Sequence, residues 1–385
     1  MISKNNIMKK CIVIPDSFKG TLSSMEICSI MAEQIHDFWP SAEVVTIPVA
    51  DGGEGTVDCF LQALDGTKVK LAAHGPFGEP CEGFGAIVGD TGIVELAAFA
   101  GLPMAEGHLN PGTASTYGVG EAIRQMIQLG CKNILIGLGG SCTNDGGTGM
   151  AAALGVRFLD TEKNIFIPNG LTLQRIAHID ITDSVQLLQD VSITAICDID
   201  NPLYGKEGAA YVFAPQKGAD QKMVEVLDQG LRHLSDVIMT DLHQDVSGLP
   251  GSGAAGGAGA GIAALLGGQL RPGIEVVLDM VQFDSQLEGT DLVLTGEGKI
   301  DSQSLRGKVV IGVSRRAQKR QVPVLSIVGS IGEGAEGAYD LGVTAIFSIN
   351  RRTEDFSVSR YHAADNLSAT MTDICRFYKK IEPTE

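Results

Sequence analysis

Leu292-Val293-Leu294-Thr295 opens into Gly296-Glu297-Gly298-Lys299-Ile300-Asp301, then Ser302-Gln303-Ser304-Leu305-Arg306-Gly307-Lys308, before a helical pattern begins at Val309. A short apolar run bounded by glycines reads as a buried strand, so the stretch reads as strand, charged glycine-rich turn and helix. Two strand ends near the N-terminus repeat the arrangement. Ile12-Val13-Ile14-Pro15 runs into Asp16-Ser17-Phe18-Lys19-Gly20, and Val44-Val45-Thr46-Ile47 leads to Asp51-Gly52-Gly53-Glu54-Gly55. In a parallel sheet the carboxyl ends of the strands share one edge, and ligands bind in the crevice outside it. If these strands lie in one sheet, their carboxylates, glycines and the lysines Lys19 and Lys299 collect in one place.

Working outward, Ser23 and Glu26 have the spacing of a capping box. Ile27, Ile30, Met31, Ile35 and Phe38 follow at helical intervals, and Pro40 closes that helix. The strand Val44–Val49 and a short helix carrying Val57, Phe60, Leu61 and Leu64 complete a β-α-β-α run over 1–67. The pattern then changes. Lys68–Ala73, Gly83–Val88 and Thr91–Leu96 are short runs split by Gly/Pro turns, which predicts an antiparallel ribbon. Helices return from Ser115. Asn133–Leu138 and Val191–Cys197 read as strands, Met223–Met239 as a helix, and Gly251–Gly268 as a glycine/alanine helix start. Past about residue 286 the alternation resumes, with strands at Leu292–Thr295, Val324–Val328 and Thr344–Ser348. The predicted fold is therefore α/β: a discontinuous Rossmann/flavodoxin-like parallel-sheet domain (1–67 and 286–385), with a second α/β domain (68–285) inserted into it.

Length and composition agree. At 385 residues the chain exceeds the size at which one core keeps growing. A net charge of −17 argues against nucleic acid, which needs a basic surface, and no apolar stretch is long enough to span a bilayer. The eight cysteines are scattered without a CxxC, as expected for reduced thiols in a cytoplasmic protein. The N-terminus has no apolar signal core, and the residues before Met8 read as an upstream start or a loose tail. The seven histidines form no HExxH or close pair, so neither a His-based metal site nor a Ser-His triad is expected.

The chemistry must then come from the loops. A Walker A loop is absent: Ser302 stands where its first Gly belongs and Val309 where its Ser/Thr belongs. Gly251-Ser252-Gly253-Ala254-Ala255-Gly256 matches the letters of a dinucleotide fingerprint, but no strand feeds it. Its glycines serve either to wrap a phosphate with backbone amides or to let helices pack closely. Gly139–Gly149 carries Ser141, Thr143, Asn144 and Asp145 between two glycine pairs. Four hydrogen-bonding side chains in one loop point to a ligand, and helix capping with Asx-turns is the plainer alternative. Asp198 and Asp200 end an apolar strand and could hold Mg²⁺ through oxygen ligands, as could Glu297 and Asp301. Lys19, Lys299, Arg306 and Lys308 are the cations placed on strand-end turns.

Several long signatures resemble the bacterial type I glycerate kinase family: Ile14-Pro15-Asp16-Ser17-Phe18-Lys19-Gly20, Ala50-Asp51-Gly52-Gly53-Glu54-Gly55-Thr56, Gly139-Gly140-Ser141-Cys142-Thr143-Asn144-Asp145-Gly146-Gly147, Cys197-Asp198 with Asp200-Asn201-Pro202-Leu203, Pro215-Gln216-Lys217-Gly218-Ala219, and Thr295 to Gln303. Cys142 stands where that family often has Ala, Lys299 where it often has Arg, and Arg306 where it often has His. Lys lacks the bidentate fork of Arg.

The resemblance implies ATP-dependent phosphorylation of D-glycerate, at the 2-hydroxyl, in a cleft between two α/β domains. Phosphorylation at the 3-hydroxyl and a non-catalytic sugar-acid sensor are the alternatives. Mg²⁺ would be held by Asp198 or Glu297, and Asp16 or Asp198 would accept the hydroxyl proton. Lys19, with Lys308 or Arg306, would bind the glycerate carboxylate or the moving phosphoryl group. Ser17, Asp51, Gly52, Glu54 and Asp301 complete the substrate- and phosphate-binding set from the strand-end turns. Ser141, Asn144, Asp145, Gly253 and Gly256 complete it from the two glycine-rich loops. The implied partners are ATP and D-glycerate, without nucleic acid or membrane, and a homo-oligomer is left open.

Overall fold

The computed structural model describes residues 8–49 and 55–381. The Asp51, Gly52 and Glu54 turn and the tail before Met8 lie outside the described residues. The described residues divide into two compact units. One is drawn from 1–50, 62–64 and 274–385, the other from 51–61 and 65–273.

The first unit begins with strand β1, Lys10–Pro15, in which every residue after Lys10 is buried. That pattern suits a strand covered on both faces. Helix Ser24–Phe38 follows, and its capping box forms. The Ser23 hydroxyl accepts the Glu26 N–H at 3.2 Å, and the Ser23 N–H donates to Glu26 Oε2 at 2.8 Å. Ile27, Cys28, Met31 and Ile35 fill the buried face. Strand β2, Glu43–Thr46, pairs parallel to β1.

The second unit is built on strands β3 (Thr67–His74), β4 (Pro80–Val88), β5 (Thr91–Glu95) and β6 (Asn133–Gly137), then a small trio β7 (Arg157–Leu159), β8 (Ile165–Phe166) and β9 (His178–Asp180), then β10 (Ser192–Ile196) and β11 (Gln269–Arg271). The expected ribbon is present, since β3–β4 and β4–β5 pair antiparallel. The main sheet has six strands in the order β11-β10-β6-β5-β4-β3. From β5 to β11 its pairings are parallel, so the loops after β6 and β10 leave by the same edge. The trio β8-β7-β9 forms a separate sheet that the sequence reading did not anticipate. Its strands are too short to carry a period. Helix Gln221–Leu242 is capped by Asp220, which accepts the Met223 N–H at 2.8 Å. The glycine/alanine helix start expected over Gly251–Gly268 is found as Ala254–Leu265, with a break in it. Ala255, Gly256 and Gly257 have φ of 52°, 68° and 91°, which breaks it near its first turn.

The chain returns to the first unit with β12 (Leu292–Ile300), β13 (Val324–Ile331) and β14 (Ala345–Ser348). The five-stranded sheet has the order β14-β13-β12-β1-β2, all parallel. This is the flavodoxin-like order. One expectation is corrected here. Gly296 to Ile300 is not a turn but the continuation of β12, with Glu297 opposite Val328 and Ile300 opposite Ile331. The glycines serve close approach rather than chain reversal. A Cβ at Gly296 would lie 2.0 Å from the Ile327 carbonyl oxygen, and one at Gly298 would lie 3.2 Å from the Lys19 nitrogen. The turn starts at Asp301.

Among the described residues no helix is long and apolar enough to cross a membrane, and all eight cysteines are free.

Candidate active site

In the first unit, β1 and β12 are neighbours with Pro15 opposite Gly296. The Asp16 N–H extends the pairing by donating to the Gly296 carbonyl at 2.8 Å. The Asp16–Gly20 turn and the Glu297–Lys308 segment therefore leave the sheet side by side. Phe18 N–H donates to the Leu22 carbonyl at 2.8 Å, which closes a tight turn. Gly20 sits at φ 79° within it, a conformation that favours glycine. The Ser17 N–H is taken by Asp16 Oδ1 at 2.6 Å. Asp16 and Ser17 are half-buried, and Lys19, Arg306 and Lys308 are exposed.

Glu297 is the unusual group on this edge. It is 4% exposed, and its Oε1 has no hydrogen-bond partner among the described residues. Burial pushes its carboxyl up to about 7. The Ser304 hydroxyl and the Lys308 charge pull it down, while Asp16 and Asp301 push it further up. Those causes place Asp16, Asp301, Ser304 and Lys308 in its electrostatic neighbourhood. A buried carboxylate with an unsatisfied oxygen is costly to hold ionised, and a hard cation is one way to satisfy it. Among the described residues no group of three or more His, Cys, Asp or Glu gathers as a protein-only cage. Mg²⁺ does not require one, since it commonly binds through one or two carboxylates plus substrate phosphates and waters. Glu297 fits that mode. Asp301 differs from it. Its carboxylate is held by Lys299 Nζ at 2.9 Å and the Gln303 N–H at 2.9 Å, and the bond to Lys299 is the chief reason it stays below the usual carboxylate range.

In the second unit, the Gly139–Gly149 loop follows β6. Gly140, Gly146 and Gly147 have φ of 73°, 65° and 73°. Asp145 is fully buried. It accepts the Thr116 N–H and hydroxyl at 2.8 Å each, the Gly147 N–H at 3.1 Å and the Gly149 N–H at 3.3 Å. Its carboxylate is taken up in tying the loop to Thr116 and to the start of helix Thr148–Ala153. Even so, burial raises its pKa above the ordinary value. Thr143 Oγ1 and both Asn144 side-chain atoms are buried without a partner among the described residues. Ser141 Oγ and the Thr143 carbonyl each accept from Lys217 Nζ at 2.7 Å. Lys217 is 2% exposed, and burial pushes its ammonium down to about 8.

The start of segment 251–261 packs onto the same loop. Gly256 accepts the Gly146 N–H at 3.0 Å, and the Gly253 N–H donates to Asn201 O at 3.1 Å. A Cβ at Gly256 would lie 2.0 Å from Thr143 O, and one at Gly253 2.3 Å from Pro202 O. Close packing thus accounts for both glycines. Ser252 Oγ is buried there without a partner among the described residues. Asp198, exposed at the end of β10, accepts the Gly273 N–H at 2.8 Å.

The structure therefore collects Asp16, Ser17, Lys19, Glu297, Asp301, Arg306 and Lys308 on one sheet edge. In the other unit it brings Ser141, Asn144, Asp145, Gly253 and Gly256 together, with Asp198 on the adjoining strand end. Sequence reasoning did not single out Lys217, although Pro215-Gln216-Lys217-Gly218 was a visible signature. Its burial is set by the tertiary fold.

Two α/β units with parallel strands, bearing charged groups and buried hydrogen-bonding loops at the strand ends, form an architecture of small-molecule enzymes. Residues 11–379 match the glycerate kinase family, and the chain belongs to it. It is 40% identical to a glycerate kinase of Bacillus cereus over 373 residues, covering 96% of this chain and 98% of that one. It is 39% identical to the glycerate 2-kinase of Escherichia coli over 378 residues, 97% of each. A solved structure from Salmonella typhimurium LT2, assigned as glycerate kinase 2, superposes with a TM-score of 0.84 at 39% identity, covering 97% of this chain and 99% of that one.

Proposed function

We propose that the protein transfers the γ-phosphoryl group of ATP to the 2-hydroxyl of D-glycerate, giving 2-phosphoglycerate and ADP. The observation that carries this reading is Glu297, a buried carboxylate with an orphan oxygen beside Asp16 and Lys308. Phosphoryl transfer needs positioning, charge neutralisation and a group to accept the hydroxyl proton. Asp16, half-buried on the adjacent strand end, accepts that proton, and Asp198 is the second candidate. Lys19 and Lys308, with Arg306 on the same turn, attract the anionic substrates. Glu297 is the residue whose oxygen suits Mg²⁺, with Asp198 again second. Mg²⁺ supplies neutralisation of the phosphate charge when bound. Our reading puts the reaction in the cytoplasm, and the free thiols, which suit a reducing compartment, support it.

A coupled ADP-release assay with D-glycerate, followed by NMR of the product, tests the proposal. The expected result is glycerate-dependent ADP that disappears on chelation of Mg²⁺, with a product phosphorus signal split into a doublet by the single proton on C2. Splitting by the two protons on C3 would overturn the regiochemistry, and binding of glycerate without ADP release would mark a sensor.

A further inference from the structure

Lys217 is the one lysine the described structure buries almost completely, at 2% exposure. Among the described residues no carboxylate forms an ion pair with it. A buried, unpaired ammonium is expensive, and packing alone would favour an apolar side chain. Both of its described bonds go to neutral oxygens of a single loop, Ser141 Oγ and Thr143 O, at 2.7 Å each. Because the lysine donates to the serine oxygen, the serine O–H must point elsewhere, as a donor polarised by the charge behind it. Beside it, Asn144 Nδ2 and Oδ1 and Thr143 Oγ1 are buried without partners among the described residues. Folded proteins leave few such groups without a reason. The neighbouring charge cannot fill this role, because Asp145 is occupied by Thr116, Gly147 and Gly149. Burial pushes the Cys142 thiol up to about 11, so it stays neutral.

We propose that Lys217 is a positioning residue for an oxyanion subsite in the Gly139–Gly149 loop, whose ligand is a carboxylate or phosphate group bound by Ser141 Oγ and Asn144 Nδ2. The inference rests on the kinase reading for the identity of the ligand, either the glycerate carboxylate or a phosphate of ATP. Lys217 acts through Ser141 and the loop backbone and does not touch the anion itself.

The test compares wild type with Lys217→Met, Ser141→Ala and Asn144→Ala. KM for D-glycerate and for ATP are determined separately from kcat, and thermal midpoints check the fold. The subsite predicts that S141A weakens one anionic ligand by about 10- to 100-fold, the range of a hydrogen bond to a charged group. K217M should weaken the same ligand less, because the lysine acts through Ser141 and the loop backbone. A rise in the glycerate KM alone assigns the carboxylate, and a rise in the ATP KM alone assigns a phosphate. A purely structural lysine would lower the midpoint and the yield of active enzyme without separating the two constants. Should K217M fail to fold, S141A and N144A decide the matter. If every folded variant keeps both constants within twofold, the subsite is overturned. If wild type shows no glycerate-dependent turnover, the kinase reading fails first. Calorimetry with inorganic phosphate on wild type and S141A then tests the subsite by itself: weaker binding to S141A supports it, and equal or absent binding to both overturns it.

Discussion

The sheet edge of the first unit and the Gly139–Gly149 loop of the second solve opposite electrostatic problems. On the sheet edge a carboxylate, Glu297, is buried, and the cations Lys19, Arg306 and Lys308 stand in solvent. Against the loop a cation, Lys217, is buried, and the nearby carboxylate of Asp145 is satisfied by the protein's own donors. In each case burial drives the group towards its neutral form, so Glu297 rises to about 7 and Lys217 falls to about 8. On the proposed reading, the two regions keep charge out of water for ligands of opposite sign, a cation at Glu297 and an anion above Lys217.

The largest expected effects break the first half of this comparison. Asp16→Asn and Lys19→Ala should each lower kcat by about 10² or more, as removal of an acid–base or charge-stabilising group does. Circular dichroism should remain native. Near-normal turnover in both would remove the Asp16–Gly20 turn from the chemistry.

Stability against pH sharpens the contrast, because the two groups must slope in opposite directions. A raised carboxyl pKa means that the folded state binds more protons than the unfolded chain between about 4.5 and 7. In metal-free buffer, wild type should therefore lose stability relative to Glu297→Gln as pH rises through that window. The two should converge below it. A lowered ammonium pKa means that the folded state binds fewer protons between about 8 and 10.5, so wild type should gain on Lys217→Met there. Each difference should amount to a few kcal/mol at most, measured by urea unfolding across pH. Parallel slopes would contradict the account.

Gly256→Ala probes how the loop is held. Its Cβ would lie 2.0 Å from Thr143 O at a φ of 68°, which predicts a loss of about 2–3 kcal/mol in urea unfolding. Ser23→Ala, in the capping box of helix Ser24–Phe38, should cost about 1 kcal/mol in the same measurement and leave the site untouched.

The sheet of the first unit was legible because its strands are continuous apolar runs, and the capping box because its signal is local. The extent of β12 was not. Glycines at 296 and 298 look like a turn until the carbonyl of Ile327 and the nitrogen of Lys19 are known to lie against them. The trio β7, β8 and β9 was invisible because strands of two or three residues carry no period. Of the candidate site, the convergence of Asp16 with Glu297 followed from adjacent parallel strands. Lys217 could not be found that way. Its partners lie 74 and 76 positions away, and a lone lysine in a loop looks solvated until the tertiary fold buries it. Asp145 shows the converse: its spacing suggested a ligand group, yet its oxygens are filled by backbone and Thr116.

The most direct test of the central claim is the kcat of Glu297→Gln for D-glycerate with saturating ATP and Mg²⁺. Loss of about 100-fold or more, with an unfolding midpoint at or above that of wild type at neutral pH, is the predicted result. Turnover within twofold of wild type would contradict the assignment of this buried carboxylate to phosphoryl transfer.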